Sequence, residues 1–160
     1  MAARAAVPPL TWVALGAGAL ALSHRPRKVA LAAWRDQGAT HVVTLLGAHE
    51  GAPEIGAEAQ RAGLTWIWIA MAGAAIPDEA ATRELRPRLA EVADVVRGGG
   101  RAVIHCSAGI HRTGMIGYAV LRLLGAPPDL ARSQLAELRD VTAEGVGADR
   151  QAWGDALADG

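Results

Sequence analysis

The chain has 160 residues, 51% of them hydrophobic and 20% charged, which suffices for a single hydrophobic core and excludes an assembly of several domains. Sixteen Lys and Arg balance sixteen Asp and Glu, so there is no cationic excess to hold nucleic acid or an anionic membrane, and neither partner is expected. A single cysteine, Cys106, excludes an intrachain disulfide and leaves one thiol for packing or for chemistry.

At the N-terminus, Arg4 precedes an apolar run to Leu22 that has the look of a secretory leader. Pro8 and Pro9 break that run, and Gly16-Ala17-Gly18 separates two β-compatible pieces, 11–15 and 19–23. A β-hairpin is therefore expected there, and a cytoplasmic location for the protein. After Pro26, the residues Val29, Leu31 and Trp34 predict a short amphipathic helix that stops at Gly38. Residues 40–46, β-branched and apolar, read as a buried strand. A helix over 54–62 and a short apolar run over 64–69 follow. Leu85, Leu89, Val92 and Val96 repeat at helical spacing in a segment from about Pro77-Asp78 to Gly98-Gly99-Gly100. Residues 101–105 then predict a strand, 113–124 a helix apolar nearly all round, and 127–139 and 148–158 two closing helices. Strands alternating with helices predict an α/β domain over 1–160, its largely parallel central sheet flanked by helices on both faces.

One stretch stands apart from this scaffold: His105-Cys106-Ser107-Ala108-Gly109-Ile110-His111-Arg112-Thr113, set between an apolar strand and an apolar helix. A loop that leaves a strand and enters a helix turns successive backbone N–H groups inward, and the helix N-terminus adds a positive end, so a phosphate dianion finds donors in place. Ser107, Ala108, Gly109, Ile110, His111 and Arg112 supply those amides. Gly109 permits a backbone conformation that a Cβ resists, and Arg112 offers two parallel donors to two phosphate oxygens. The same field favours a thiolate at Cys106, a nucleophile aimed at phosphorus. Thr113 is placed to donate its hydroxyl to the sulfur. His105 is better suited to hold the loop by hydrogen bonding than to act as a base, because an ionised thiol needs none.

This stretch resembles the active-site loop of the cysteine-dependent protein tyrosine phosphatase superfamily, most closely its dual-specificity branch. The resemblance extends more weakly through the hairpin, the strand at 40–46, residues 66–77, and a tail where Arg139 and Gln151 fall at expected distances. It implies that Cys106 forms a phosphocysteine intermediate, that Arg112 binds the phosphate and stabilises the transition state, and that Thr113 assists breakdown of the intermediate. It also implies a phosphorylated protein or small phosphoester as substrate. No cofactor is expected, and no metal, since His105, Cys106 and His111 crowd too closely for structural zinc spacing.

The resemblance fails at one point. The family places a general-acid Asp upstream in a pattern like P-[ILV]-x-D-x-x-x-P, and laying that on residues 70–77 puts Gly73 where the acid belongs. A phenolate departs poorly unless protonated, and a general acid commonly contributes about 10²–10⁴-fold. Asp78, beside Pro77, is the favoured replacement. Its competing role is to cap the helix that starts there. Glu50 or Glu54 is the alternative donor, and a slow enzyme without a dedicated acid is the third outcome. Two other functions compete with a hydrolase: a catalytically weak phosphate-recognition module, and a sulfurtransferase or arsenate-reducing enzyme. The latter is disfavoured by the cysteine-to-arginine spacing and the lack of a second thiol. Trp66 and Trp68 are read as sheet-core packing, Trp12, Trp34 and Trp153 as structural, and Glu144, Asp149 and Arg150 as a polar helix start.

Overall fold

The computed structural model describes residues 6–160, so Arg4 lies outside it. Two strands open the fold, β1 (Val13–Leu15) and β2 (Gly18–Ser23), paired antiparallel. The turn between them is Gly16-Ala17, with Gly16 at φ +63°, the left-handed conformation that a two-residue hairpin needs at its first position. Helix α1 (Lys28–Asp36) follows, then β3 (His41–Thr44), a single 3-10 turn (Ala48–Glu50), α2 (Ala52–Arg61) and β4 (Thr65–Trp68). The long α3 (Glu79–Arg97) leads to β5 (Arg101–His105), and α4 (His111–Leu123), α5 (Pro128–Leu138), α6 (Asp140–Gly145) and α7 (Ala148–Asp159) complete the chain.

The sheet order is β1-β2-β5-β3-β4, and every pairing except β1 with β2 is parallel. The chain is thus the expected α/β domain. β5 lies at the centre with Val103 between Ala21 of β2 and Val42 of β3, which explains its unbroken apolar run: both faces are covered. Helix α2 packs on β3 and β4 with α1 beside it, while α3, α4 and α5 pack on β2 and β5 or β1. Helix α4 is enclosed by α3, α5, α6 and α7. Its residues from Thr113 to Leu121 are all buried, as an all-round apolar helix requires. Each large aliphatic side chain sealed in this way contributes roughly 1.5–3 kcal/mol. Buried Tyr118 donates to Asp155 Oδ1 at 2.7 Å, and the same oxygen takes Arg122 Nε at 2.8 Å, which ties α4 to α7.

One local expectation needs correction. Val29 is 42% exposed, while Leu31 and Trp34 are buried as expected, together with Ala30. Trp66 and Trp68, half-buried on an edge strand, pack against the core as expected, and each indole N–H is used: Trp66 donates to Thr44 Oγ1 and Trp68 to the Leu46 carbonyl. The segment after Arg139 forms a separate short helix, α6, where Arg139 turns extended between two helices.

Candidate active site

The loop from Cys106 to Ile110 joins the central strand β5 to the buried helix α4, so both of its ends are anchored in the core. Each of its carbonyls has a partner directed away from the loop's concave side. Cys106 O lies 3.1 Å from His105 Nδ1, Ser107 O accepts from Arg25 N–H at 2.8 Å, and Ile110 O accepts from Gly114 N–H at 2.8 Å. Arg139 Nη1 serves Ala108 O at 3.2 Å and Gly109 O at 2.9 Å, and Thr142 Oγ1 also donates to Gly109 O. Among the described residues no amide from Ser107 to Arg112 has a backbone acceptor. A trans peptide sets its N–H opposite its C=O, so carbonyls held outward leave the amides facing in. Gly109 makes the turn possible: its φ is +72°, and a Cβ there would lie 2.4 Å from the Ser23 carbonyl oxygen.

Cys106, 3% exposed, sits at the base of this loop, and Thr113 Oγ1 donates to its Sγ at 3.0 Å. Arg112 is gripped on both prongs by Glu50, Nη1 to Oε1 at 2.8 Å and Nη2 to Oε2 at 3.0 Å, and Nη1 also reaches the Met71 carbonyl at 2.8 Å. This pairing, with the Gly47 N–H on Oε1, holds the Glu50 carboxyl down to about 2, and Glu50 in turn raises Arg112. Arg139 is pulled below its ordinary value by burial, against the opposing pull of Cys106. His105 is fully buried, and desolvation pushes its imidazole down to about 4, so the ring is neutral near neutrality; Nε2 lies 2.8 Å from Thr44 Oγ1. His111 is exposed at the first position of α4.

A loop of inward-facing amides with a cysteine at its base and a clamped arginine on its rim is the geometry against which known families are best compared. A profile described as the tyrosine phosphatase family matches residues 30–134, which include the whole cradle. The chain belongs to the tyrosine phosphatase family. No curated protein matches it significantly. Among solved structures, this tyrosine phosphatase family member is similar to Tk-PTP in its active form, at 23% identity over 95% of this chain and 97% of that one, with a TM-score of 0.72. It is similar to kinase associated phosphatase carrying serine for its catalytic-site cysteine, at 17% identity over 92% and 90% of the two chains, with a TM-score of 0.71. It is also similar to the catalytic core of the PP-IP phosphatase SIW14 from S. cerevisiae, at 19% identity over 94% and 87%, with a TM-score of 0.67. At such identities the likeness shows the fold.

In this family member the loop at 70–77 is held at two points, one on Arg112 of the cradle and one on Arg150 of α7. The Met71 carbonyl is bonded to Arg112, and the Ala74 carbonyl accepts from Arg150 Nε at 2.8 Å. Gly73, which occupies the usual acid position, is exposed between these anchors, and a Cβ built on it meets nothing within 4 Å. Asp78 caps α3: its exposed carboxylate accepts from Ala81 N–H at 2.8 Å. Glu50, weighed above as an alternative proton donor, is committed to Arg112 as a carboxylate, and Glu54 lies exposed in the first turn of α2. Two arginines gain roles that sequence reasoning missed. Arg150 holds the loop at 70–77, and Arg139, flagged only by its distance from the cradle, closes the loop's carbonyls. Among the described residues no three His, Cys, Asp or Glu side chains are grouped to hold a metal ion, and no helix is long and apolar enough to cross a membrane.

Proposed function

We propose that this protein is a phosphomonoester hydrolase that works through a phosphocysteine intermediate at Cys106, with a phosphorylated tyrosine or a dual-specificity protein site as substrate. The observation that carries this reading is the outward pairing of all five carbonyls from Cys106 to Ile110, which leaves a ring of amides free around one sulfur and one guanidinium. In the first step Cys106 Sγ attacks phosphorus, an S–P bond forms and the P–O ester bond breaks, with the electron pair and then a proton going to the leaving oxygen. Arg112 and the amides of Ser107 to Arg112 stabilise the charge that spreads over the three equatorial oxygens. In the second step water attacks phosphorus, inorganic phosphate departs and the thiolate is restored. Thr113, already donating to Sγ, stabilises the departing sulfur.

For proton donation the reading keeps Asp78, which stands at the end of the loop that carries Gly73 and has to release its cap on α3 to act. The same two facts, Gly73 at the acid position and Asp78 engaged as a cap, favour one second reading: a weakly catalytic phosphate-recognition module. The two readings part on nitrophenyl phosphate, whose leaving group needs little protonation. Steady turnover that Cys106→Ser abolishes is the expected result. Absent turnover with retained vanadate binding would select the module, and neither turnover nor vanadate binding would overturn both.

A further inference from the structure

Trp66 lies on the edge strand β4, stacked on Trp68 with ring centroids 5.4 Å apart, and seated against Gly56 of α2, where a Cβ would come within 2.5 Å of its ring. Its Nε1 is 2.8 Å from Thr44 Oγ1, and Thr44 Oγ1 is 2.8 Å from His105 Nε2. Thr44 pairs with His105 in the parallel β3–β5 register, and Trp66 with Val42, two residues before Thr44, so the three side chains share one sheet face.

Chemistry fixes the direction of every bond in this row. An indole N–H only donates, so Trp66 occupies one lone pair of Thr44 Oγ1. A carbonyl only accepts, so the His105 nitrogen facing Cys106 O, which is Nδ1, bears the proton. The buried ring is neutral and has a single N–H. Nε2 is therefore bare and accepts the hydroxyl proton of Thr44. This arrangement alone satisfies all three contacts with every proton placed between a donor and an acceptor.

The Cys106 carbonyl and the Ser107 N–H belong to the same planar trans peptide, so a donor that pins the carbonyl outward directs that N–H into the cradle. The opposite tautomer sets the Nδ1 lone pair against the carbonyl oxygen, and the peptide turns away, withdrawing the first amide. We infer that Trp66 and Thr44 are positioning residues, a one-way hydrogen-bond chain from the sheet edge that fixes the His105 tautomer and so keeps the Ser107 amide turned toward the bound anion and the Cys106 sulfur. This rests on the reading of Cys106 to Arg112 as a phosphate cradle.

Nitrogen NMR of histidine-labelled protein and the rate of Cys106 alkylation by iodoacetamide at neutral pH test it, and neither needs a phosphoester. In the unaltered protein His105 should be protonated on Nδ1 and bare on Nε2. Trp66→Phe, which keeps an aromatic side chain but removes the donor, and Thr44→Val should each bring in the second tautomer and slow alkylation roughly fivefold, about the worth of one net hydrogen bond. Thr44→Ser, which retains the hydroxyl, should restore both readouts. The titratable groups around the site, His24, Arg25, Glu50, Arg112 and Arg139, are untouched by these substitutions. An Nε2-protonated His105 in the unaltered protein overturns the inference. So does an unchanged tautomer and alkylation rate in Thr44→Val, which decides the matter even where Trp66→Phe fails to fold. A normal tautomer and normal variant effects without any phosphatase turnover would count against the hydrolase reading alone.

Discussion

Arg112 and Glu50, 62 residues apart in the chain, face each other as a two-pronged ion pair at 2.8 and 3.0 Å on the rim of the cradle. The carboxylate orients the guanidinium plane and at the same time competes for its charge. Glu50 is 33% exposed, so its Coulomb effect on a bound phosphate is softened by solvent, whereas the orientation of Arg112 rests on Glu50 and one bond to Met71. Orientation should therefore win. Glu50→Gln is expected to lower kcat/KM for nitrophenyl phosphate roughly tenfold, the scale of one charge-assisted hydrogen bond, and to lower the urea midpoint at neutral pH, where the ionised carboxylate contributes to folding. A rise in kcat/KM would show that removal of the competing charge is the larger effect.

Gly73 offers a gain-of-function test. It lies between the two points where the loop is tied to Arg112 and Arg150, has an ordinary negative φ and open space at its Cβ, so Gly73→Asp should fold without strain. Turnover of phenyl phosphate should rise about 10–100-fold, and that of nitrophenyl phosphate far less, because only the poorer leaving group needs the proton. Asp78→Asn is expected to do the reverse in the unaltered background, depressing phenyl phosphate turnover selectively. Equal losses on both esters would reduce Asp78 to its cap on Ala81.

Acid should weaken the fold in two windows. Burial lowers His105 from 6.5 to about 4, so between those values the unfolded chain binds a proton that the folded chain refuses; this contribution is whole above 6.5 and is lost as pH falls through about 4. Glu50, lowered from 4.5 to about 2 chiefly by Arg112, adds a second loss in that lower range. Urea midpoints followed downward from neutrality should begin to fall above the carboxylate range, and His105→Asn should flatten that first segment. A variant with the same early slope would assign it to other groups.

Gly109→Ala meets two obstacles at once, the left-handed φ of +72° and a methyl 2.4 Å from the Ser23 oxygen. The combined cost is expected near 2–3 kcal/mol, read as a lower urea midpoint together with loss of vanadate affinity. Stability equal to that of the unaltered protein would mean that the turn does not press on β2.

The strands, the longer helices and the cradle were legible in the amino-acid order, since each depends on short-range facts: a β-branched run, a repeat of Leu89, Val92 and Val96, or the close succession of Cys106, Gly109 and Arg112. Such patterns specify local backbone and the residue types that a short loop brings together. What tertiary structure alone decided was the set of groups that hold those residues in place. Glu50 read as a possible acid until the order β2-β5-β3 brought the turn after β3 beside Arg112, where an arginine turned it into a fixed carboxylate. Arg139, Arg150 and Trp66 likewise act through carbonyls or a hydroxyl 30, 76 and 22 residues away. A side chain's partner across such a distance is chosen by strand register and helix packing, and neither is encoded in the residues adjoining it.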